Sequence, residues 1–191
     1  QPILNRRQEL AGYQLSFHSG EDVGDDEGTA RRGAGAPLCA AYSELGMRSA
    51  LGNASAYLGV DADFLQQEAI ELLPPQGVVL ELLLDGAPTQ PTLARCRALV
   101  ERGYSLALSN YQGIDDHSRP LLSLVSVVKI DLHHADQARL EELAGSLRHL
   151  PLKLLAQAVD NHEQMEHCRN LGFALFQGRY FAQAEIVSGR R

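Results

Sequence analysis

Lys129 and Asp131 close the β-branched run Val125-Ser126-Val127-Val128-Lys129-Ile130-Asp131. The run reads as a strand, so a cation and a carboxylate stand at its C-terminal end. In parallel α/β proteins that is where binding and chemistry are placed. Apolar segments on both sides also finish in polar residues. Taken in order, these ends carry Gln14, Gly59, Glu81, Ser109 and Asn110, Lys129 and Asp131, Gln157, and Gln177. Amides and hydroxyls dominate the set and charges are few. A ring of that kind exchanges hydrogen bonds with a guest or with itself.

The elements that must hold these residues are legible in part. Gln1–Leu4 and Glu9–Phe17 flank the polar turn Asn5-Arg6-Arg7-Gln8 and predict an N-terminal β-hairpin, with Tyr13, Leu15 and Phe17 on one face. Residues 19–36 hold five acidic residues, two arginines and many glycines, with almost nothing apolar. Such a segment buries too little to offset its ordering entropy, and a flexible loop is expected there. Pro37 can open a helix over 38–47. A strand is expected over 54–60, then a short helix capped by Asp61 or Asp63 and running to Glu68.

From Val78 the rhythm is regular. Val78–Leu84 is nearly all apolar, as in a strand covered on both faces. A helix starting at Pro91 carries Leu93, Cys96, Leu99 and Val100 on one stripe and stops at Gly103. Strands follow at 104–108 and 125–130, a helix at 136–149, a strand at 153–156, a helix opened by Asn161 and stopped at Gly172, and a strand at 173–176. The sequence Val100-Glu101-Arg102-Gly103-Tyr104 is echoed by Arg169-Asn170-Leu171-Gly172-Phe173. This βαβα alternation predicts a parallel sheet. Neither G-x-G-x-x-G nor a P-loop occurs, so a (β/α) barrel is preferred over an open nucleotide-binding sheet.

Composition narrows the function. A net charge of -7 speaks against a general nucleic-acid or anionic-membrane surface. No window is long and apolar enough to span a bilayer. Cys39, Cys96 and Cys168 form no C-x-x-C pair, which fits a reducing cytoplasm. The chain opens on Gln1 rather than Met, as expected of a piece of a longer protein.

The motifs, in their order, resemble the EAL domain family, whose active members hydrolyse cyclic di-GMP with two divalent metal ions. Gln1-Pro2-Ile3 is similar to the family's Q-P-I. Gly12-Tyr13-Gln14-Leu15 is similar to G-Y-E-A-L, with Gln14 in place of the defining Glu. Leu80-Glu81-Leu82 resembles L-E-x-T-E, and Leu108-Ser109-Asn110-Tyr111 lies at D-D-F. Val128-Lys129-Ile130-Asp131 resembles L-K-I-D. Leu155–Asp160 lies at A-E-G-V-E, and Phe176–Phe181 at Q-G-Y-x-F. The resemblance covers nearly the whole chain. It implies a shortened EAL-type barrel, similar in TIM-like architecture, as one domain over 1–191. The 19–36 loop, Leu72-Leu73-Pro74-Pro75 and the 184–189 tail resemble the subgroup in which an HDOD domain follows. That domain would lie beyond Arg191.

The same resemblance implies a depleted site. Family metal ligands fall on Gln14, Gly59, Ser109, Asn110 and Gln157, none of them a carboxylate; only Glu81 keeps the family's acid. Hard cations need anionic oxygens to offset lost hydration water, so no metal cofactor and no phosphodiesterase activity are expected. His18 and Gln183 replace basic ligand contacts, leaving Lys129 to meet a dianion. The residual pocket is Glu81, Lys129, Asp131 and Gln177.

Each of these residues also has a structural reading. Lys129 and Glu81 can pair inside the barrel. Asp131 can satisfy loop donors, and Gln177 can be a hydrogen-bonding remnant. Asp115-Asp116 reads as an exposed turn. His133, His134, His162 and His167 lack metal-ligand spacing and read as surface or cap residues. The acidic run 21–27 is solvated or docks on a basic partner. Three functions stay open: a silent module working through protein contacts, a non-hydrolysing cyclic di-GMP receptor, and an active phosphodiesterase. A homodimer of the family's kind is in doubt, because the loop that makes it is rewritten at 111–120.

Overall fold

The computed structural model describes residues 1–15 and 51–181. Eight strands form a closed barrel in sequence order: β1 (Pro2–Asn5), β2 (Leu10–Leu15), β3 (Ser55–Val60), β4 (Val78–Leu82), β5 (Ser105–Leu108), β6 (Val127–Asp131), β7 (Lys153–Gln157) and β8 (Leu175–Phe176). Strand β1 is antiparallel to both β2 and β8, and every other pair is parallel. Closure, which periodicity alone leaves open, is therefore made through the hairpin. Its turn is held by Asn5, whose Oδ1 accepts from the amides of Arg7 and Glu9 at 2.8 and 3.0 Å.

Among the described residues four α-helices accompany the strands: α1 (Ala62–Leu65), α2 (Gln90–Glu101), α3 (Gln137–Leu147) and α4 (His162–Asn170). Each begins on a short polar side chain. Asp61, Thr89, Asp136 and Asn161 accept from the amides of Phe64, Thr92, Arg139 and Gln164 respectively. The choice between Asp61 and Asp63 as first cap thus falls on Asp61. Gly103 and Gly172 end α2 and α4 with φ of 92° and 97°, a conformation that only glycine adopts without strain.

Several boundaries differ from the sequence expectation. The helix expected to reach Glu68 is a single turn, continued by a 3₁₀ segment at Glu68–Leu72. Strand β4 ends at Leu82 rather than Leu84, and β8 has two residues instead of four. Apolar character extends beyond the ladder in both, after β4 and before β8, because Leu84, Phe173 and Ala174 still pack. The loop over 19–36, the helix over 38–47 and the 184–189 tail lie outside the described residues. Among the described residues no helix is long and apolar enough to cross a membrane.

Alternation along each strand builds two cores. Outward-facing Leu58, Leu80, Leu106, Val128 and Ala156 pack under the helix stripe of Leu93, Cys96, Leu99, Leu140 and Leu143. Inward-facing Ile3, Tyr57, Val79, Ala107, Val127, Leu155 and Leu175 plug the barrel. One inward position further along, the filling changes character: Glu81, Lys129 and Gln177 are all buried there. The apolar plug is the floor of the site and the polar layer is the site itself.

Candidate functional site at the barrel mouth

Lys129 is the hub. Its inward position on β6 leaves it 2 % exposed. Its Nζ donates to Glu81 Oε1 on β4 at 2.9 Å and to Gln14 Oε1 on β2 at 2.8 Å. Ser109, just past β5, donates its hydroxyl to the same Glu81 oxygen. Four strands are thereby tied across the lumen by one ammonium and one carboxylate. This is the pairing that the sequence permits for Lys129 and Glu81, and it is realised.

The electrostatics follow from that pairing. Burial opposes the charge on Glu81 more than any other single influence. Lys129, Ser109 and Gln14 together outweigh it and hold the carboxyl below its ordinary value of 4.5. Directly beneath, burial and the Glu81 charge push the Tyr57 phenol up to about 12. Tyr57 therefore stays neutral and serves as floor.

The other strand-end residues divide. Gln177 donates Nε2 to Gln1 Oε1 at 2.9 Å, across the β8–β1 seam. Asp131 turns away from the hub: its Oδ1 accepts from the His133 amide at 2.9 Å, and its Oδ2 lies 3.3 Å from His134 Nδ1. That is the loop-donor reading of Asp131. Gln157 ends β7 half-buried. Asn110 is exposed, with a left-handed φ of 53° that asparagine tolerates well. Gly59 faces Glu81 across the β3–β4 register. A Cβ there would come within 2.8 Å of the flexible end of Leu83.

The histidines meet their expected roles with one exception. His133 Nε2 lies 3.0 Å from Asp160 Oδ2, which joins the loops after β6 and β7. Arg179 Nε closes the same cluster on Asp160 Oδ1 at 3.0 Å. Arg179 first and His133 second hold the Asp160 carboxyl below its usual range. His167, expected at the surface or as a cap, is half-buried, and its Nε2 has no hydrogen-bond partner among the described residues. Sequence reasoning missed the Asp160 cluster and the roles of Tyr57 and Gln1. Each joins residues on different loops or strands, and no local spacing signals that.

Gly178 locks the last strand end. A Cβ on it would fall 2.1 Å from Val159 O and 2.3 Å from Val159 N. Gly178→Ala is therefore expected to cost about 1–3 kcal/mol and to lower the melting temperature. Gly145→Ala, within α3 and with nothing near its Cβ, is expected to stabilise by about 0.5–1 kcal/mol in the same melts.

A pair of divalent cations does not fit these donors. The one carboxylate at the hub gives Oε1 to an ammonium and a hydroxyl. Glu81 Oε2 and Gln177 Oε1 are buried acceptors without a donor among the described residues, and one anionic and one amide oxygen are a poor set for a hard dication. Among the described residues, no three His, Cys, Asp or Glu side chains converge as metal ligands would.

Comparison with known proteins agrees with this architecture. The solved phosphodiesterase PaMucR in complex with c-di-GMP superposes with a TM-score of 0.74 at 20% identity, over 95% of this chain and 92% of that one. A standalone EAL protein from Vibrio cholerae O395, in its c-di-GMP bound form, gives 0.69 at 18% identity, over 94% and 88%. At those identities the likeness is one of fold. Among curated sequences, the cyclic di-GMP phosphodiesterase CdgJ of Vibrio cholerae is 29% identical over all of this chain and 44% of its own length. The uncharacterized protein YuxH of Bacillus subtilis is 23% identical over 99% of this chain and 47% of its own. The chain thus spans about half the length of the curated relatives it matches. Its residues 53–184 match the EAL domain, and with most of its length so matched, and a closed barrel of the same architecture, the chain belongs to the EAL domain family.

Proposed function

We propose that this chain is a catalytically silent EAL-like module that acts through protein contacts within a bacterial regulatory protein. The observation that carries the reading is the Lys129 ammonium seated on Glu81 and Gln14. Through that ammonium three strand ends bond to one another. Where the resemblance to active relatives expects carboxylates, this chain has Gln14, Ser109, Asn110 and Gln157. Bound metal would supply a nucleophilic water at neutral pH and neutralise the phosphodiester. Neutral amides and hydroxyls supply neither. The partner is a protein, either an adjacent HDOD domain or a separate chain.

A second reading is a non-hydrolysing cyclic di-GMP receptor. It is favoured by a relative named as a cyclic di-GMP phosphodiesterase and by the open buried acceptor on Gln177. Against it, the hub's only lysine is already bonded twice within the barrel.

The test is incubation of the protein with cyclic di-GMP and Mg²⁺ or Mn²⁺, with product followed by chromatography and binding by calorimetry. No product and no micromolar binding are expected. Metal-dependent product overturns the silent reading. Micromolar binding without product replaces it with the receptor reading.

A further inference from the structure

The end of the barrel opposite the mouth is basic along one arc. There the hairpin turn between β1 and β2, the start of β7 and the ends of α3 and α4 come together. Strand β8 lies between β7 and β1 in the closed sheet, and the arc is about 10 Å wide at the barrel wall, two strand spacings. The turn carries Arg6 and Arg7. Arg148 caps the end of α3 with His149 beside it, β7 opens on Lys153, and the last turn of α4 carries Arg169. Arg6 Nη2 donates to the Arg169 carbonyl at 3.1 Å and fixes the turn against α4. Arg6, Arg7, Arg148, His149 and Lys153 are all exposed.

Helix chemistry explains only part of this clustering. Arg148 and Arg169 stand where cations complement the carbonyl ends of helices, and Arg6 bonds one such carbonyl. Arg7 and Lys153 sit on a turn and a strand, and neither pairs with a carboxylate among the described residues. Segments 5–10, 147–153 and 166–172 hold five permanent cations and two carboxylates, Glu9 and Glu166, in a chain whose net charge is -7. Glu166 is already paired with Arg169 at 3.3 Å. The cations are gathered here against the sign of the whole chain.

The complement of such an arc is anionic, and its surroundings select the kind. Single-stranded nucleic acid is held by aromatic platforms as well as cations, and none of these segments carries Phe, Tyr or Trp. A membrane would bring the rest of a negatively charged chain against anionic headgroups. A short acidic protein segment meets the cations and ends before the flanks. Leu10, 44 % exposed on the same hairpin, offers that segment an apolar contact.

We propose that this arc is a docking surface for an acidic segment of a protein partner. The proposal rests on the protein-contact reading above and names the partner class for it. Exposed ion pairs are individually weak and are screened by salt, so the contact is weak, additive over several cations and salt-sensitive.

The test uses a fluorescein-labelled peptide of about twelve residues alternating glutamate and serine, read by anisotropy. Its twin carries lysine for glutamate. The glutamate peptide is expected to bind at about 100 μM or tighter in low salt and about tenfold more weakly once salt reaches about 300 mM. The lysine twin is expected not to bind. Arg7→Glu with Lys153→Glu is expected to weaken binding about tenfold or more. Arg97→Glu with Arg119→Glu makes the same change in net charge at exposed positions away from the arc, and is expected to leave binding within about twofold. Should the first double variant not fold, Arg7→Gln with Lys153→Gln against Arg97→Gln with Arg119→Gln carries the same comparison.

Equal weakening by both pairs reduces the effect to net charge and overturns the proposal, as does absence of binding by the glutamate peptide. Tighter binding of a thymidine oligonucleotide of equal charge, or of phosphatidylglycerol vesicles, assigns the arc to nucleic acid or membrane and overturns it. Self-association that is lost on the Arg7 and Lys153 substitutions assigns it to a second copy and overturns it too. Cyclic di-GMP turnover is measured on the same samples. Turnover would fail the silent reading, whereas absent peptide binding without turnover fails only this inference.

Discussion

Lys129→Met is expected to destabilise the fold by about 3–5 kcal/mol, the cost of breaking a buried ion pair by removing one partner. The Glu81 carboxylate would remain buried beside Ser109 and Gln14, with hydrogen-bond donors but no cation. The double variant Lys129→Met with Glu81→Leu removes both charges. It is expected to recover most of the loss, because a hydrophobic replacement of the whole pair avoids the desolvation cost of either ion. Urea unfolding of the three proteins measures this. A single-variant loss below about 1 kcal/mol would place the pair among weak surface bridges and sink the hub argument.

The pH dependence gives the same pair an independent signature. In the native protein the Glu81 carboxyl is held below its ordinary 4.5. Its stabilisation is therefore present above the unfolded value and is lost as pH falls through the folded one. Without Lys129, burial dominates and the folded value rises above the unfolded one. The penalty is then absent at low pH and grows as pH rises through that window. The deficit of Lys129→Met relative to the native protein should thus be largest near neutrality and shrink on acidification.

Much of this arrangement is legible in the residues alone. The β-branched and apolar runs at β4, β6 and β7, the helix opening at Asn161, and the stops at Gly103 and Gly172 follow from local chemistry. The polar strand ends follow as well, because a parallel strand presents its last inward residues at one end of the sheet. Closure does not. It depends on β1 pairing with β8, through Leu4 with Phe176 and Asn5 with Leu175, at opposite ends of the chain. The boundary of β8 fails for the same reason. Two ladder residues suffice where neighbours on both sides fix the strand, and propensity has no view of neighbours. Within the site, the pairing of Lys129 with Glu81 is legible as one of two options. Geometry decides between them, because Gln14 and Ser109 supply the remaining bonds.

Restoring carboxylates is the second large effect expected. Gln14→Glu, Ser109→Asp, Asn110→Asp and Gln157→Glu together would add four acids to the strand ends at the barrel mouth, two of them at residues that bond within the Glu81 hub. Asn110 already has a left-handed φ that aspartate also tolerates. Without metal, like charges around one buried carboxylate should raise the pKa values of the group and lower the melting temperature near neutrality. With millimolar Mg²⁺ or Mn²⁺ the variant should regain stability, by about 2.7 kcal/mol if the cation is present at a hundred times its dissociation constant. The native protein should show no such shift. Lys129 decides the outcome in both cases. In the native barrel it is the only cation Glu81 needs, whereas among five carboxylates one ammonium cannot neutralise the site and an external dication gains a place. A metal-induced shift in the native protein, equal to that of the variant, would show that the amides and hydroxyls already bind the ion. The silent reading would then lose its physical basis.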